Sequence, residues 1–534
     1  MNKILLIDDD PLVLKSIAGL LNKKGYKVFG CPSGFEAITV FKREEVNLIV
    51  CDIRMAGQDG IQTVAKIRDL ETNSDKLPIP IIMITGFAEP NTPIEALKIG
   101  VQDYFLKPFD TNVLLQSIER NLKQYIQRRE KYVVSQKMVK FNVIGIGIVG
   151  PFGLTLDALW TYTNLCTTNF QKFKNSDFPK LEDILYTRVN SLNPECYFDE
   201  KQLHNLDRNS IFVSTAAKLA IENSGIKVSK IGSDKTGVSV GTSVSIATAM
   251  SDFDESVLRD GSRRSKIGIF PNTVMCAPAS RVSIFEHITG SNTTISTGMN
   301  SGIDAVGYAC FCLENDLAEV MIAGGSDAIS EKILMGYQQE GLLFGSNTKE
   351  VGRNKRGAFV PSEGSCVVVM KRFDEKHPDT DTHCEILSYA CGFTPFKRRD
   401  IEKRSQTLQL VAQRCLNEAN LSADVIDCFL ISSYFDELNY QAELRAIQQL
   451  LGGELGKKPL LAPKKILGES FAAYSPTLLA LVVGLFKEKI NQKAIEYLNE
   501  NKLCVLSSKI QTALIIHSDP SGHESALILK SPTI

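Results

Sequence analysis

The sequence predicts two α/β domains in tandem, and three observations carry that reading. At 534 residues the chain is too long for one compact core. From Lys3 to about residue 122, short apolar runs alternate with amphipathic helical stretches in five β/α repeats, the pattern of an open, doubly wound parallel sheet. From Phe141 onward, long apolar strands are separated by helices, with glycines at the strand ends, which predicts a layered α/β domain with mixed sheets. The expected boundaries are 1–122 for the first domain, 123–140 for a helical connector and 141–534 for the second domain.

In the first domain the strands are "ILLI", "LIVCDI", "PIIMIT" and "DYFLKP", with one more between the first two helices. The helices are "PLVLKSIAGLLNKKG", "GFEAITVFKRE", "GIQTVAKIRDL", "NTPIEALKIG" and "DTNVLLQSIERNLKQ". An open parallel sheet binds ligands at the carboxyl ends of its strands. Those ends hold Asp8 and Asp9 (first strand), Asp52 (third), Thr85 (fourth) and Lys107 (fifth). Three converging carboxylates repel one another unless a hard cation lies between them, and oxygen ligands of this kind favour Mg2+. A lysine and a hydroxyl beside them supply what a phosphoryl group needs, and one carboxylate can act as nucleophile. "DDD" alone would read as a helix N-cap, but polar residues at successive strand ends argue for a site.

The motifs "IDDDP", "DIRMAGQDG", "MITG" and "GVQDYFLKPF" resemble a two-component receiver domain, a flavodoxin-like fold, over the full first domain. The resemblance implies that Asp52 is the phosphoacceptor, served by a sensor histidine kinase or phosphotransfer protein. It implies that Asp8, Asp9, Asp52 and the Arg54 carbonyl hold Mg2+, and that Lys107 pairs with the phosphate. It also implies a switch at Thr85 and Tyr104 and a cis Lys107–Pro108 bond. Residues 111–135 keep helical spacing and then turn basic, so the last helix is expected to run on as the connector. "QRREK" reads as a solvated helix face rather than a nucleic-acid patch.

Composition narrows the function classes. Lys plus Arg (60) and Asp plus Glu (61) nearly cancel, which removes the basic footprint of a nucleic-acid binder. Thirteen cysteines form no CxxC pair and read as core thiols in a reducing compartment. "MNKILLIDDD" lacks an apolar leader, and "LLALVVGLF" (478–486) is about half of a membrane span, so a cytoplasmic chain without a membrane span is expected.

The second domain carries, in order, "VIGIGIVGPFGLTLDALW", "DRNSIFVSTAAKLAIENSGI", "TGVSVGTSVS", "ISTGMNSGIDAVGYA", "AEVMIAGGSDAIS", "KRGAFVPSEGSCVVVMKR" and "SDPSGHESALILK". Together these resemble the β-ketoacyl synthase family of the thiolase fold, which implies an α/β/α/β/α layered domain. That chemistry needs a cysteine on a strand-to-helix elbow and two histidines. The elbow reads Ser296, Thr297, Gly298, Met299, and a thioether cannot form a thioester. The first histidine position falls on Ser432 or Ser433. The second reads Lys464, Lys465, Ile466, Leu467, Gly468, Glu469.

None of the six histidines (His204, His287, His377, His383, His517, His523) falls at either position. Met299 is therefore expected to fill the nucleophile's place as packing, and Glu469 to form a salt bridge with Lys464. Cys276, Cys310 and Cys312 are candidates for a displaced nucleophile, against the commoner reading as buried apolar residues.

The resemblance implies a catalytically inactive ketosynthase-like subunit, regulated by phosphorylation. It would form a homodimer, or a heterodimer with an active ketosynthase, through the strand "NTTIST", in fatty-acid or polyketide biosynthesis, with an acyl carrier protein as a further partner. It is similar to the chain-length factor of type II polyketide systems in lacking the cysteine, but lacks that subunit's glutamine at the same position and carries a receiver. The alternative is a two-component signalling protein whose inert synthase fold is a phosphorylation-dependent interaction module.

Overall fold

The computed structural model describes residues 2–532 apart from 56–58, 73–77, 87–99, 136–138, 174–180, 182, 205, 245, 266, 346–351, 353–356, 375–380, 396–399, 454, 457 and 502–508. The expected helix "NTPIEALKIG", His377 and Cys504 lie mostly or wholly outside the described residues. The chain divides into two compact units, Met1–Lys137 and Met138–Ile534.

In the first unit, β1 (Lys3–Ile7), β2 (Lys27–Cys31), β3 (Leu48–Asp52), β4 (Ile81–Thr85) and β5 (Asp103–Leu106) form one parallel sheet in the order β2-β1-β3-β4-β5. β1, β3 and β4 are almost wholly buried, as strands covered on both faces must be. Ile4, Leu6, Val50 and Ile82 pack into one apolar cluster, while Leu5, Ile49, Cys51 and Met83 pack into another. The order places β1 and β3 side by side, so the residues that end them meet. The last helix, Thr111–Ser135, is continuous through the expected boundary at 122.

The second unit contains β6 (Phe141–Val149), β7 (Gln171–Lys172), β8 (Leu185–Tyr186), β9 (Thr236–Gly241), β10 (Asn292–Ile295), β11 (Val320–Asp327), β12 (Gly364–Arg372), β13 (Cys384–Phe393), β14 (Cys428–Ile431), β15 (Leu460–Leu461), β16 (Thr512–Ser518) and β17 (His523–Lys530). All but the β7–β8 hairpin pair join in the order β10-β9-β11-β12-β6-β13-β17-β16-β14-β15. A short ladder, Cys384 to Ile386 against Val143 to Phe141, joins two halves of like topology. In each half a parallel trio, β10-β9-β11 or β15-β14-β16, continues through two antiparallel strands.

Helices Ser301–Glu314 and Tyr474–Phe486 pack on each other in the middle, within an apolar cluster that draws on strands of both halves. Every residue of Tyr474–Phe486 is buried, so the longest apolar run of the sequence is the central core helix. Helix Arg208–Ser224 covers one outer face, and helices Ile401–Glu418 and Glu437–Leu450 cover the other, which completes the α/β/α/β/α layering.

The cysteines depart from the core expectation at Cys196, Cys276 and Cys391, which are exposed; Cys166 is half-buried. Among the described residues no helix is long and apolar enough to cross a membrane.

Candidate functional site

Two sites emerge, one in each unit. In the first, parallel pairing brings the ends of β1, β3, β4 and β5 to one edge. Asp8, Asp9 and Asp52 each place a carboxylate oxygen within 4.8 Å of the others. Lys107 Nζ bridges two of them, at 2.6 Å from Asp8 Oδ2 and 2.6 Å from Asp52 Oδ2. Burial is the largest influence on Asp8 and pushes its pKa up against the pull of Lys107. Burial works against the charged form of Lys107, but its hydrogen bonds to Asp52 and Asp8 prevail and hold its pKa above the usual value.

One ammonium against three carboxylates leaves the pocket in excess of negative charge. All the donors are hard oxygens, so the residues fit a small divalent cation. Asp52 Oδ1 accepts from the Arg54 N–H at 3.1 Å, which leaves the Arg54 carbonyl on the same short turn. Thr85 is fully buried at the end of β4, and its carbonyl accepts from the Lys107 N–H at 2.7 Å. Tyr104 is turned inward, with a buried hydroxyl that lacks a hydrogen-bond partner. The Lys107–Pro108 bond is cis.

In the second unit, a cavity of about 310 Å³ is lined by Met299, Ser433, Lys464 and Glu469. Positions separated by more than 160 residues in sequence thus share one wall, as the motifs required. β10 ends at Ile295, the turn passes through Gly298 at φ +85°, and helix Ser301–Glu314 begins immediately after. A Cβ on Gly298 would lie 2.6 Å from Asp519 Oδ2, so glycine is required both by backbone angle and by that contact.

Asp304, in the first turn of this helix, ties the elbow down. It accepts from Tyr389 Oη and Ser525 Oγ at 2.7 Å each, from Thr297 Oγ1, and pairs with His523 Nε2 at 2.8 Å. Burial opposes the charge on His523, but Asp304 outweighs it and raises the imidazole pKa.

The elbow is closed from within. The Met299 N–H, at the turn that leads into the helix, donates to Asp519 Oδ2 at 2.7 Å. Asp519 Oδ1 accepts from the Ser521 N–H at 2.6 Å, and the intervening Pro520 has no N–H to offer. Both Asp519 and Pro520 line the cavity. Lys464 Nζ is hydrogen-bonded to Glu469 Oε2 and lies 4.5 Å from the Tyr474 ring centroid. Glu469 Oε1 accepts from the Phe471 N–H at 2.9 Å.

Ser432 and Ser433, both candidates for one position, lie side by side with their hydroxyls 3.4 Å apart. Ser433 is on the cavity wall, whereas Ser432 Oγ donates to buried Glu443 at 2.6 Å. Glu443 also accepts from the Ser433 N–H at 3.0 Å, and burial pushes its carboxyl up to about 7.

Among the described residues no cysteine and no histidine lines the cavity. Cys310 and Cys312 are buried on helix Ser301–Glu314, where burial pushes both thiols up and away from reactivity. Cys276 is exposed beside helix Ala277–Phe285. His517 is fully buried, its Nδ1 hydrogen-bonded to Ser475, and burial holds its pKa far down. Sequence reasoning missed Asp519 and Glu443; "SDPSG" by itself reads as a turn and does not signal the contact with Met299.

Comparison with known proteins agrees with this division. Residues 4–119 match the response regulator receiver domain family, and residues 140–376 match the β-ketoacyl synthase N-terminal domain family. The 3-oxoacyl-[acyl-carrier-protein] synthase 2 of Coxiella burnetii is 20% identical over 371 residues, covering 68% of this chain and 90% of that protein. The transcriptional regulatory protein ZraR of Salmonella typhimurium is 34% identical over 142 residues, 27% of this chain and 31% of that protein. The solved ishigamide ketosynthase/chain length factor superposes with a TM-score of 0.63 at 16% identity, over 74% of this chain and all of the other, which is a likeness of fold. The chain thus joins a segment that matches the response regulator receiver domain family to a segment that matches the β-ketoacyl synthase N-terminal domain family, with relatives matching each part.

Proposed function

We propose that the synthase domain is a non-catalytic subunit that pairs with an active ketosynthase in fatty-acid or polyketide assembly, under the control of phosphorylation at Asp52. The observation that carries this reading is the Asp519 carboxylate seated on the Met299 N–H. A condensing site stabilises a developing oxyanion with aimed N–H donors. Here the elbow donor is spent on an internal anion, the residue beside it is a thioether, and Glu469 is tied to Lys464. An acyl oxygen at this place would meet negative charge.

Pairing is supported by the edge of the sheet. β10 lies at the end of the strand order and has a neighbour on one side only. The segments between residues 246 and 285, the last of which packs on β10, expose Met250, Leu258, Ile267, Phe270, Val274 and Ile284. A strand edge flanked by apolar side chains suits a second chain of the same fold. The partner retains the cysteine and histidines and receives its acyl groups from an acyl carrier protein.

On the receiver, Asp52 is the nucleophile. Its carboxylate oxygen attacks phosphorus, the phosphohistidine P–N bond of a sensor kinase or phosphotransfer protein breaks, and the released imidazole takes up a proton. Asp8, Asp9, Asp52 and the Arg54 carbonyl would hold Mg2+, which supplies charge neutralisation at the phosphoryl oxygens. Lys107, already within 2.6 Å of Asp52, follows the phosphoryl group as its ion partner. Thr85 and Tyr104 supply the switch: a hydroxyl at the end of β4 reaches the new phosphate, and Tyr104 on the adjacent strand β5, paired with Met83, moves in turn. All of this chemistry belongs to the cytoplasm.

The test is affinity of the full-length chain for its co-purified synthase with and without beryllofluoride. A change that is abolished in Asp52→Ala supports the reading. Beryllofluoride binding without change in partner affinity, oligomeric state or partner activity contradicts it.

A further inference from the structure

Helix Ile401–Glu418 turns Arg404 inward, where its side chain is only 1% exposed. All three guanidinium nitrogens are engaged. Nε donates to Glu524 Oε1 at 3.2 Å and Nη1 to Asn439 Oδ1. Nη2 donates to Ser518 Oγ at 2.5 Å, to the Asp519 carbonyl at 2.7 Å and to Glu524 Oε1 at 3.1 Å. None of the four partners is more than 4% exposed. One cation thus ties its own helix to helix Glu437–Leu450 and to the strands β16 and β17.

Stability alone does not account for such a group. Taking a guanidinium and a carboxylate out of water costs about what their attraction returns, so a buried pair is better explained by the conformation it selects. Burial also pushes Glu524 up to about 7, against the pull of Arg404, which makes it an incomplete counterion. The guanidinium stays charged throughout and therefore leans on neutral acceptors as well. Two of these, Ser518 Oγ and the Asp519 carbonyl, are consecutive in the chain.

Asp519 opens the tight turn from β16 to β17. Its N–H donates to the His523 carbonyl at 2.8 Å, and its carbonyl accepts from the Gly522 N–H at 2.9 Å as well as from Arg404. Gly522 holds φ +99°, which closes the turn. With its backbone fixed in this way, Asp519 is left with its carboxylate on the elbow side, where Oδ2 meets the Met299 N–H at 2.7 Å. The carboxylate is tied to Ser521 of the same turn, so it moves with the turn if the turn moves.

We propose that Arg404 is the positioning residue of the closed elbow: by holding Ser518 and the Asp519 carbonyl from behind, it aims Asp519 at the Met299 N–H. This rests on the reading of the synthase site as closed. The test follows amide hydrogen exchange by NMR in the full-length chain labelled with the heavy nitrogen isotope at methionine only, the Met299 signal being the one lost in Met299→Leu. Arg404→Lys keeps a charge for Glu524 but lacks the planar fork that reaches Asn439, Ser518 and Asp519 together. The double variant Arg404→Met, Glu524→Gln leaves no buried charge behind. Met299 in the parent is expected to exchange at least tenfold more slowly than in Asp519→Ala, and each Arg404 variant to erase at least tenfold of that protection. Met321 and Met370, on the core strands β11 and β12, are expected to keep their rates. Met299 exchange unchanged in either folded variant overturns the assignment, as does acceleration of Met321 and Met370 by as much as Met299, which would mark a general stabilising role. Parent exchange as fast as in Asp519→Ala overturns the closed-elbow reading along with it.

Discussion

The backbone N–H of Met299 and the carboxylate of Asp519, 220 positions apart in sequence, form a 2.7 Å hydrogen bond at the head of the central helix. The bond occupies a backbone donor on the wall of the cavity of about 310 Å³. The Lys464–Glu469 pair adds a second closed position on the same cavity wall.

Met299→Cys alone is expected to restore no condensation. The new thiol would lie beside a carboxylate, which raises a thiol pKa, and would find no histidine on the cavity wall. Product analysis with acyl and malonyl carrier proteins checks this; the turnover expected is that of the parent chain.

Glu469→Ala should destabilise the synthase unit by about 3–5 kcal/mol, since it strands the buried Lys464 ammonium. The double variant Lys464→Met, Glu469→Leu should recover most of that loss, because no unpaired charge then remains. Denaturant unfolding of the full chain, followed by the synthase transition, measures both.

Glu443 predicts a pH signature. Its folded pKa, about 7, lies above the ordinary 4.5 because burial disfavours the charged form. The folded state therefore keeps a proton that the unfolded chain releases, and this contribution is full below pH 4.5 and lost as pH rises through 7. Glu443→Gln should raise stability at pH 8 by up to about 3 kcal/mol and change little near pH 4, by the conversion of about 1.4 kcal/mol per pKa unit. Equal effects at both pH values would contradict the assignment.

Asp52→Ala should abolish labelling by a small-molecule phosphodonor, and removal of divalent metal should do the same to the parent chain. Lys107→Ala should leave labelling measurable but remove the partner response. Phosphate-affinity electrophoresis reads the first two, and partner affinity the third.

The receiver pocket was legible in the sequence because each of its residues closes an apolar run, and a parallel sheet brings such ends together whatever lies between. Met299 and Glu469 were legible for a different reason, as substitutions inside motifs whose other residues persist: Ser296 and Thr297 before the first, Lys464 and Gly468 before the second. Ser432 and Ser433 could not be separated, since both follow the end of β14 at Ile431 and their hydroxyls lie 3.4 Å apart beside the same carboxylate, Glu443. Asp519 was illegible because its meaning lies in a contact across 220 residues, and "SDPSG" by itself reads as a turn. The exposed Cys196, Cys276 and Cys391 departed from the core expectation because they lie in a short 3-10 turn, at a helix N-cap and near the end of a strand, where burial falls away.

The most direct test of the central claim is incubation of the full-length chain with malonyl carrier protein and an acyl donor, followed by intact-mass analysis and measurement of released carbon dioxide. The account predicts no covalent adduct and no decarboxylation above the protein-free rate. An acyl group on any side chain, or carbon dioxide release that Glu469→Gln or Asp519→Ala removes, would contradict it.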